Sequence, residues 1–236
     1  MTVKCAGFDI LLEDGPVLVV AKPGGLATQA PRQFDSLEAR IKKFLKSRDN
    51  KPGKVYLGVP HRLDRPASGA LVFAKHSRAA RRLAEQFEGR MVQKSYLAIV
   101  AGLPAPHKGT WTDFIRKVPD VARAEIVAAD HPEGREATLH YEVITQLDSP
   151  PASVLRISLE PGRMPQIRIQ AATRGHPLLG HEQHDSEHPF DPQTDDPRGR
   201  WIALHAQRLA FRHPMTQQPV SVEAPLPEPW SGIEVS

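Results

Sequence analysis

A short polar segment around residue 64 combines side chains that could do chemistry. Residues 61–69 read His-Arg-Leu-Asp-Arg-Pro-Ala-Ser-Gly, and the largely apolar run 70–75 follows directly and predicts a buried strand. A strand holds its residues rigidly, and its end presents side chains to solvent, which suits a reactive group. Asp64, which lies between two arginines, is therefore either part of a structural ion pair or the carboxylate of a catalytic site.

The length and composition predict a folded protein with a substantial hydrophobic core. The chain has 236 residues, of which 40% are hydrophobic and 25% charged, and we expect one catalytic domain over residues 1–236. Proline is unusually frequent, with 23 residues. Because proline interrupts helices, this number predicts long, stiff connections rather than a helical bundle.

Basic residues are concentrated directly after the segment 61–69. The net charge is only +4, but positive side chains cluster between positions 75 and 94. The basic residues of this stretch are Lys75, His76, Arg78, Arg81, Arg82, Arg90 and Lys94, against Glu85 and Glu88. The cluster indicates either a polyanionic partner or a solvated helix face, and charge alone does not separate the two.

A single cysteine limits the possible covalent and metal chemistry. Cys5 has no second cysteine with which to form an internal disulfide or a multi-cysteine metal site. No stretch approaches the ~20 apolar residues that cross a bilayer, and the N-terminus lacks a signal-peptide pattern. We therefore expect a cytoplasmic protein that does not bind membranes.

The elements that must position Asp64 can be predicted from the apolar spacing. Alternation predicts strands over 8–12 and 16–22, joined by a turn at 14–15. Helices are predicted from Asp35, with a capping box to Glu38, and from Ser77 as the cap to about Glu88, before a left-handed stop at Gly89.

Later segments also favour strands. Alternation predicts them over 93–101, 138–147, 154–159, 204–211 and 220–224, whereas 110–132 is strand or loop and 181–200 a surface loop. Proline and glycine at the two ends of 165–175 predict one more helix. Strands outnumber helices, so we expect an α+β fold with a mixed, mostly antiparallel central sheet flanked by helices and long loops.

Several segments, taken together, repeat the motifs of one enzyme family in the family's order. They are Val19–Leu26 with Lys-Pro-x-Gly, His61–Lys75 with His-Arg-Leu-Asp, Lys94–Tyr96 with Lys-x-Tyr, Gly162–Arg168 with Gln-Ile-Arg, Gly175–Gly180, Leu204–Ala206 and Phe211–Pro214. The chain resembles the RluA family of pseudouridine synthases over nearly its whole length. No additional N-terminal S4 RNA-binding domain is expected before the first motif.

The resemblance implies the pseudouridine synthase fold and an isomerase that needs no cofactor. Such an enzyme breaks the bond between ribose and uracil nitrogen, turns the base and rejoins it through carbon. The implied partner is rRNA or tRNA, and we expect a monomer without an obligate protein partner. Water must be kept from the site, because hydrolysis would leave an abasic nucleotide.

The resemblance also assigns roles to named residues. Asp64 is the implied catalytic carboxylate, Tyr96 the residue that stacks on the base and moves a proton, and Arg168 the partner of Asp64. Arg62 is expected to hold the flipped nucleotide open, since the target base must leave its stack before chemistry. Taken alone, Tyr96 could equally be a core residue, and Arg168 could serve only its helix.

Two lysines complete the predicted site. Lys75 and Lys94 are candidates for binding the RNA substrate through phosphate, with a solvated role as the alternative. A mixed histidine and carboxylate cluster, formed by His181, Glu182, His184, Asp185 and His188, invites a zinc reading, but its spacing matches no standard site. We therefore predict no metal.

Three departures from the family pattern leave alternatives open. Ala67 stands where the family usually has threonine, Pro165 where it usually has histidine, and the loop after Gly180 begins with His181. The departures at Ala67 and Pro165 motivate a second hypothesis, a non-catalytic RNA-binding or RNA-folding protein on the same fold. A third and weaker hypothesis is a hydrolase that uses Asp64 as nucleophile. Release of free uracil from RNA would identify the hydrolase.

Overall fold

Strands dominate the chain, as the alternating apolar residues predict. A computed structural model describes residues 3–5, 7–118, 124–160, 165–181, 188–190 and 194–233, which form eleven β-strands and three α-helices. The strands are β1 Val3–Cys5, β2 Phe8–Asp14, β3 Val17–Lys22, β4 Ser68–Ala74, β5 Gln93–Ala101, β6 Lys108–Lys117, β7 Ala124–Val127, β8 Arg135–Asp148, β9 Pro151–Glu160, β10 Leu204–Arg212 and β11 Pro219–Glu223. The helices are α1 Leu37–Arg48, α2 Ser77–Glu88 and α3 Gln166–Thr173. Short 3-10 helices lie at Pro197–Gly199 and Glu228–Trp230.

Packing divides the chain into two compact units. The first contains Met1–Lys94, Asp196–Gly199 and Ala206–Pro227, and the second contains Ser95–Asp195, Arg200–His205 and Glu228–Ser236. The division falls inside β5 and inside β10. The expected single catalytic domain over 1–236 stays a prediction.

The first unit is built on the antiparallel strands β1 to β4, with β10 and β11. Val17 and Val19 of β3 lie in one apolar cluster with Val72 of β4 and Leu83 of α2. The alternate residues of β3 and β4 are also fully buried, so the two central strands have no solvent-facing side. This double-sided burial makes β4 a rigid support for the segment that precedes it.

The helix caps differ from the predicted ones. Ser36 rather than Asp35 caps α1, because the Asp35 carboxylate pairs with the guanidinium of Arg40. His76 rather than Ser77 caps α2, where its Nδ1 accepts a hydrogen bond from the backbone three residues on. Both helices lie where the apolar stripes predict them, so the error concerns only which neighbouring polar side chain accepts the first free N–H.

The second unit is an antiparallel sheet in the order β5, β9, β8, β6, β7 with α3 packed on it. In the segment 110–132, for which the sequence indicates strand or loop, β6 continues to Lys117 and β7 begins at Ala124. Gln170 of α3 donates from its buried amide to the carboxylate of Asp113 on β6, at 2.6 Å. Arg174 adds an ion pair to the same carboxylate, which fixes α3 against the sheet.

Candidate active site

The backbone around Asp64 is fixed on both sides. The hydroxyl of Thr28 accepts a hydrogen bond from the N–H of Leu63 (3.2 Å) and donates to the carbonyl of the same residue (3.0 Å). On the other side, the N–H of Ala67 donates to the carbonyl of Asp64 (3.2 Å) and closes a turn. Leu63 and Ala67 are buried, whereas Asp64 is half-buried. The carboxylate is thus carried on a clamped turn that leaves it reachable.

A buried lysine ties this turn to the end of β3. The Lys22 side chain is 1% exposed, and its Nζ donates to the carbonyls of Pro23 (2.8 Å), Leu26 (2.7 Å) and Arg65 (3.0 Å). Burial lowers the pKa of Lys22 to about 7, while the nearby carboxylate of Asp64 opposes that shift. Three acceptors match the three N–H groups of the charged ammonium, so the geometry is built for the protonated form.

Gly69 allows β4 to begin close to β10. Its φ is +121°, and a Cβ there would lie 2.3 Å from the carbonyl oxygen of Ala206. Only glycine adopts this conformation without strain and leaves room for the neighbouring backbone. Gly69 of the motif is therefore a packing requirement of the strand that follows the Asp64 turn.

His61 is held as a neutral acceptor at the start of the motif. Its Nε2 accepts a hydrogen bond from the N–H of Val72 (3.1 Å), and its ring stacks on Phe87 of α2 at 4.2 Å between centroids. Burial lowers the pKa of His61 to about 3, and the positive charge of Lys94 contributes to the shift. His61 therefore connects the Asp64 segment to both β4 and α2.

Of the two predicted lysines, only Lys94 lies near this segment. Its Nζ is 5.8 Å from the ring centroid of Phe87, and burial lowers its pKa. Lys75 follows the other end of β4, where it pairs with Glu13 at 2.6 Å. The seven residues of β4 separate Lys75 from the Asp64 turn by roughly 20 Å. The hydrogen bonds of Arg48 and Lys75, the first being the stronger cause, lower the pKa of Glu13 to about 2.

The second unit contains the other two predicted catalytic residues. Tyr96 lies on β5, 7% exposed, in register with Ile157 of β9. Arg168 lies on α3, and its Nε and Nη2 contact Nε2 of His181 at 2.9 and 2.5 Å. His181 is 3% exposed, and its Nε2 can accept from the guanidinium only while the imidazole is unprotonated at that nitrogen.

The predicted residues thus fall into two sets. Arg62, Asp64, Lys75 and Lys94 belong to the first unit, and Tyr96 and Arg168 to the second. Arg62 is exposed, next to the buried Leu63. The predicted pairing of Asp64 with Arg168 stays a prediction. Sequence reasoning gave no role to Lys22 or His61, although both stand inside the quoted motifs.

The part of the chain that the structure describes contains no candidate zinc site. No group of three or more histidine, cysteine, aspartate or glutamate side chains there could hold a metal ion. Glu182, His184 and Asp185 of the cluster considered above lie outside the described residues. Among the described helices, none is long and apolar enough to cross a membrane.

A fixed carboxylate beside a buried cation can act on a sugar in two ways. It can attack a carbon as a nucleophile, or it can remove a proton as a base. Glycoside hydrolysis usually needs two carboxylates, one as acid and one as base or nucleophile. Asp64 is carried on a clamped turn and is half-buried, so its placement suits either role.

Comparison with known families gives one consistent result. A family model described as RNA pseudouridylate synthase matches residues 16–173. The matched range contains the Lys22 turn, the Asp64 turn, Tyr96 and Arg168. The family model therefore covers residues from both units.

Relatives with assigned names act on different RNAs according to those names. The ribosomal large subunit pseudouridine synthase C of Vibrio vulnificus is 31% identical over 93% of this chain and 66% of its own length. The tRNA pseudouridine synthase C of Pasteurella multocida is 33% identical over 94% of this chain and 93% of its own length. This chain thus spans slightly less than two thirds of the first relative and nearly all of the second.

A solved structure shows the same fold. Human RNA pseudouridylate synthase domain containing 4 superposes with a TM-score of 0.74 at 21% identity, over 93% of this chain and 88% of that one. This superposition and the observed strand pairing confirm the predicted α+β fold with a mostly antiparallel sheet.

Proposed function

Because the chain belongs to the RNA pseudouridylate synthase family, we propose that it converts a uridine in rRNA or tRNA to pseudouridine. The predicted family is confirmed. The predicted enzyme class, an isomerase of RNA, is confirmed at the level of the family. The choice between rRNA and tRNA stays open, since the named relatives include both.

The proposed reaction is an isomerisation whose atoms balance without a co-reactant. The bond from ribose C1′ to uracil N1 breaks, the base turns, and a bond from C1′ to C5 forms. C5 loses its hydrogen and N1 gains one, so nothing is oxidised or reduced. We therefore propose that the enzyme uses no cofactor.

Asp64 is proposed as the catalytic carboxylate, either as nucleophile or as base at the sugar. The observation that carries this proposal is the clamped turn: Thr28 and Lys22 fix its backbone, yet the Asp64 side chain stays half-buried rather than enclosed. Preorganised placement of a reacting group supplies much of the rate enhancement of enzymes. A carboxylate that served only an ion pair would not need a backbone held by two separate side chains.

The remaining assignments follow from the family motifs. Tyr96 is proposed to stack on the target base, Arg168 to hold the Asp64 carboxylate, and Arg62 to keep the flipped nucleotide open. Lys94, half-buried near His61, is proposed to contact a phosphate of the same RNA. The proposal for Lys75 is weaker, because its ammonium group already pairs with Glu13 at the far end of β4.

Pseudouridine mapping tests the function. RNA from cells that lack this protein is treated with the wild type, with Asp64→Asn, and with Asp130→Asn as a control at an exposed aspartate. We expect one or a few new pseudouridines with the wild type and the control, and a loss of at least about 1,000-fold in rate with Asp64→Asn. Absence of any new pseudouridine with the wild-type protein would refute the proposal.

Complementation of cells that lack the protein and analysis of the released products separate the alternatives. If Asp64→Asn restored every cellular phenotype of the missing protein, the non-catalytic RNA-binding hypothesis would replace this one. Free uracil in the reaction would identify the hydrolase. Ala67, whose departure from the family pattern motivated the first alternative, closes the turn through its backbone N–H, a contact that does not use its side chain. We further propose a cytoplasmic monomer that needs no protein partner.

A further inference from the structure

An exposed aromatic ring and an arginine lie together in the first unit, outside the residues that the proposed reaction uses. Phe34 is 47% exposed, and the guanidinium carbon of Arg198 lies 5.7 Å from the centroid of its ring. Large apolar side chains are normally buried, and a ring that remains this exposed beside an arginine offers a flat surface for another ring. Proteins bind unpaired RNA bases on surfaces of this kind.

The loop that carries Phe34 is closed at its base. The N–H of Leu37 donates to the carbonyl of Ala27 (2.9 Å), and the N–H of Glu38 donates to the carbonyl of Thr28 (3.1 Å). Within the loop, the N–H of Phe34 donates to a carbonyl three residues earlier, at 2.9 Å. The ring is therefore presented from an ordered turn rather than from a loose connection, which reduces the entropy lost on binding.

The base of this loop is also an anchor of the catalytic turn. Thr28 is the residue whose hydroxyl holds the backbone of Leu63, directly before Asp64. Four extended residues reach at most about 14 Å, so the tip of the closed loop stays within that distance of its base. Phe34 therefore lies within about 14 Å of the residue that anchors the backbone next to Asp64.

Arg198 is held in place by its own turn. A Cβ on Gly25 would lie 2.4 Å from the carbonyl oxygen of Gly199, so the two turns touch backbone to backbone. The side-chain carboxylate of Asp196 accepts a hydrogen bond from the N–H of Arg198 (2.9 Å). The backbone carbonyl of Asp196 accepts one from the N–H of Gly199 (2.9 Å). Arg198 is thus fixed against the turn that follows Lys22.

Arg198 places one positive charge directly beside the ring. The Arg198 side chain is exposed, and so is that of Arg32, two residues before Phe34 in the sequence. The adjacent carboxylate of Asp35 is engaged by Arg40, which lowers its pKa, and Asp196 accepts from a backbone N–H. An exposed ring with a guanidinium beside it combines stacking with attraction for phosphate.

We propose that Phe34 and Arg198 form a stacking site for an unpaired RNA base that flanks the target uridine. The site rests on the proposed function, because it adds a binding determinant for the same RNA. It would select substrates whose neighbouring base is unstacked, as in loops and bulges.

Equilibrium binding tests the site without requiring turnover. The probe is a fluorescein-labelled single-stranded oligouridine of about 12 nucleotides, followed by fluorescence anisotropy. We expect Phe34→Leu and Phe34→Ala to weaken binding by about 10-fold, and Phe34→Tyr to stay within about 2-fold of the wild type. Tyr56→Leu, at another exposed aromatic side chain of the same unit (48% exposed), is the matched control and should bind like the wild type.

A second probe separates stacking from charge. An abasic strand of the same length keeps the phosphates but offers no ring, so wild type and Phe34→Leu should bind it equally. Equal binding of oligouridine by the wild type and Phe34→Leu overturns the inference, and so does an equal loss on the abasic strand. If the Phe34 dependence holds while mapping finds no pseudouridine, the stacking site stands and only the proposed reaction fails. Thermal melts of the variants verify that each is folded.

Discussion

At the residue scale, two basic side chains that sequence reasoning passed over, the buried Lys22 and the half-buried His61, hold the segment that carries Asp64. His61 belongs to the motif in which the aspartate had the obvious chemical role, and Lys22 belongs to the Lys-Pro-x-Gly motif, whose lysine was given no role. Lysine is rarely fully buried. Two of the carbonyls that accept from Lys22 belong to the turn directly after it, but the third, from Arg65, lies 43 residues further along the chain. The motif thus predicts which carboxylate is reactive. The side chains that hold this carboxylate's backbone do so through tertiary contacts, which the spacing of residues in the sequence does not reveal.

Replacement of Lys22 should destabilise the protein strongly. Lys22→Met removes three hydrogen-bond donors and leaves the carbonyls of Pro23, Leu26 and Arg65 without them in a buried setting. We expect the free energy of unfolding in urea to fall by about 3 kcal/mol. Lys43→Met, at an exposed lysine of α1, should change it by less than about 0.5 kcal/mol. A similar small change in both variants would show that the three contacts contribute little.

His61 should make the stability depend on pH on the acidic side. The pKa of His61 is about 3 in the folded protein and about 6.5 in an unfolded chain. Between these values the unfolded state binds a proton that the folded state does not, so stability falls as the pH is lowered. Relative to His61→Gln, which keeps an acceptor but cannot titrate, the wild type should lose up to about 1.4 kcal/mol per pH unit below pH 6.5.

Urea unfolding at pH 7 and pH 5 measures this effect. The quantity of interest is the difference in free energy of unfolding between wild type and His61→Gln, which cancels the contributions of other groups. His107→Gln, at an exposed histidine, is the control. If the difference in free energy of unfolding from the wild type changes equally for His61→Gln and His107→Gln between pH 7 and pH 5, His61 does not remain neutral in the folded protein.

At the element scale, the apolar pattern predicts where helices and strands lie, but not how they end. β3 and α2 lie in the predicted ranges, because only one choice of secondary structure for each segment buries its apolar side chains together. The end of α2 differs, since Arg90 rather than Gly89 takes the left-handed conformation, with φ +59°. Several polar residues near a helix end can satisfy its free groups, and the tertiary surroundings choose among them.

The start of β4 should tolerate no side chain at Gly69. Gly69→Ala combines a φ of +121° with a Cβ placed 2.3 Å from the backbone of Ala206. Gly15→Ala is a matched control, because its φ is +49° and nothing lies within 4 Å of the added Cβ. We expect Gly15→Ala to lose about 1 kcal/mol of stability in urea and Gly69→Ala at least about 3 kcal/mol. Equal losses would mean that the β10 backbone can move away.

At the scale of the whole molecule, the order of the motifs along the chain predicts more than any single motif. Spacing alone leaves Asp64 as an ion pair or a catalyst, and Tyr96 as a core or site residue. Their occurrence in family order, confirmed by the family match over 16–173, identifies the class of reaction. The RNA itself is not predictable in this way, because RNA is recognised through shape and a few unstacked bases.

The position of each charge matters more than the net charge of +4. Two exposed arginines of the basic stretch 75–94 lie near opposite ends of α2. The 12 residues of this helix span about 18 Å. Arg78 lies at its start, beside the remote Lys75, whereas the N–H of Arg90 donates to the carbonyl of Phe87, the residue that stacks on His61. Only the end with Arg90 lies beside the Asp64 segment.

Charge reversal at the two ends of α2 should therefore affect RNA binding unequally. We expect Arg90→Glu to weaken the affinity for single-stranded oligouridine by about 5-fold at low salt, and Arg78→Glu, its matched control on the same helix, by less than about 2-fold. The difference should shrink as the salt concentration rises to about 0.5 M, because screening suppresses contacts between exposed charges. Anisotropy titrations at several salt concentrations measure both effects. Equal weakening by the two variants would instead indicate that RNA lies along the whole helix, and would return Lys75 to the binding surface.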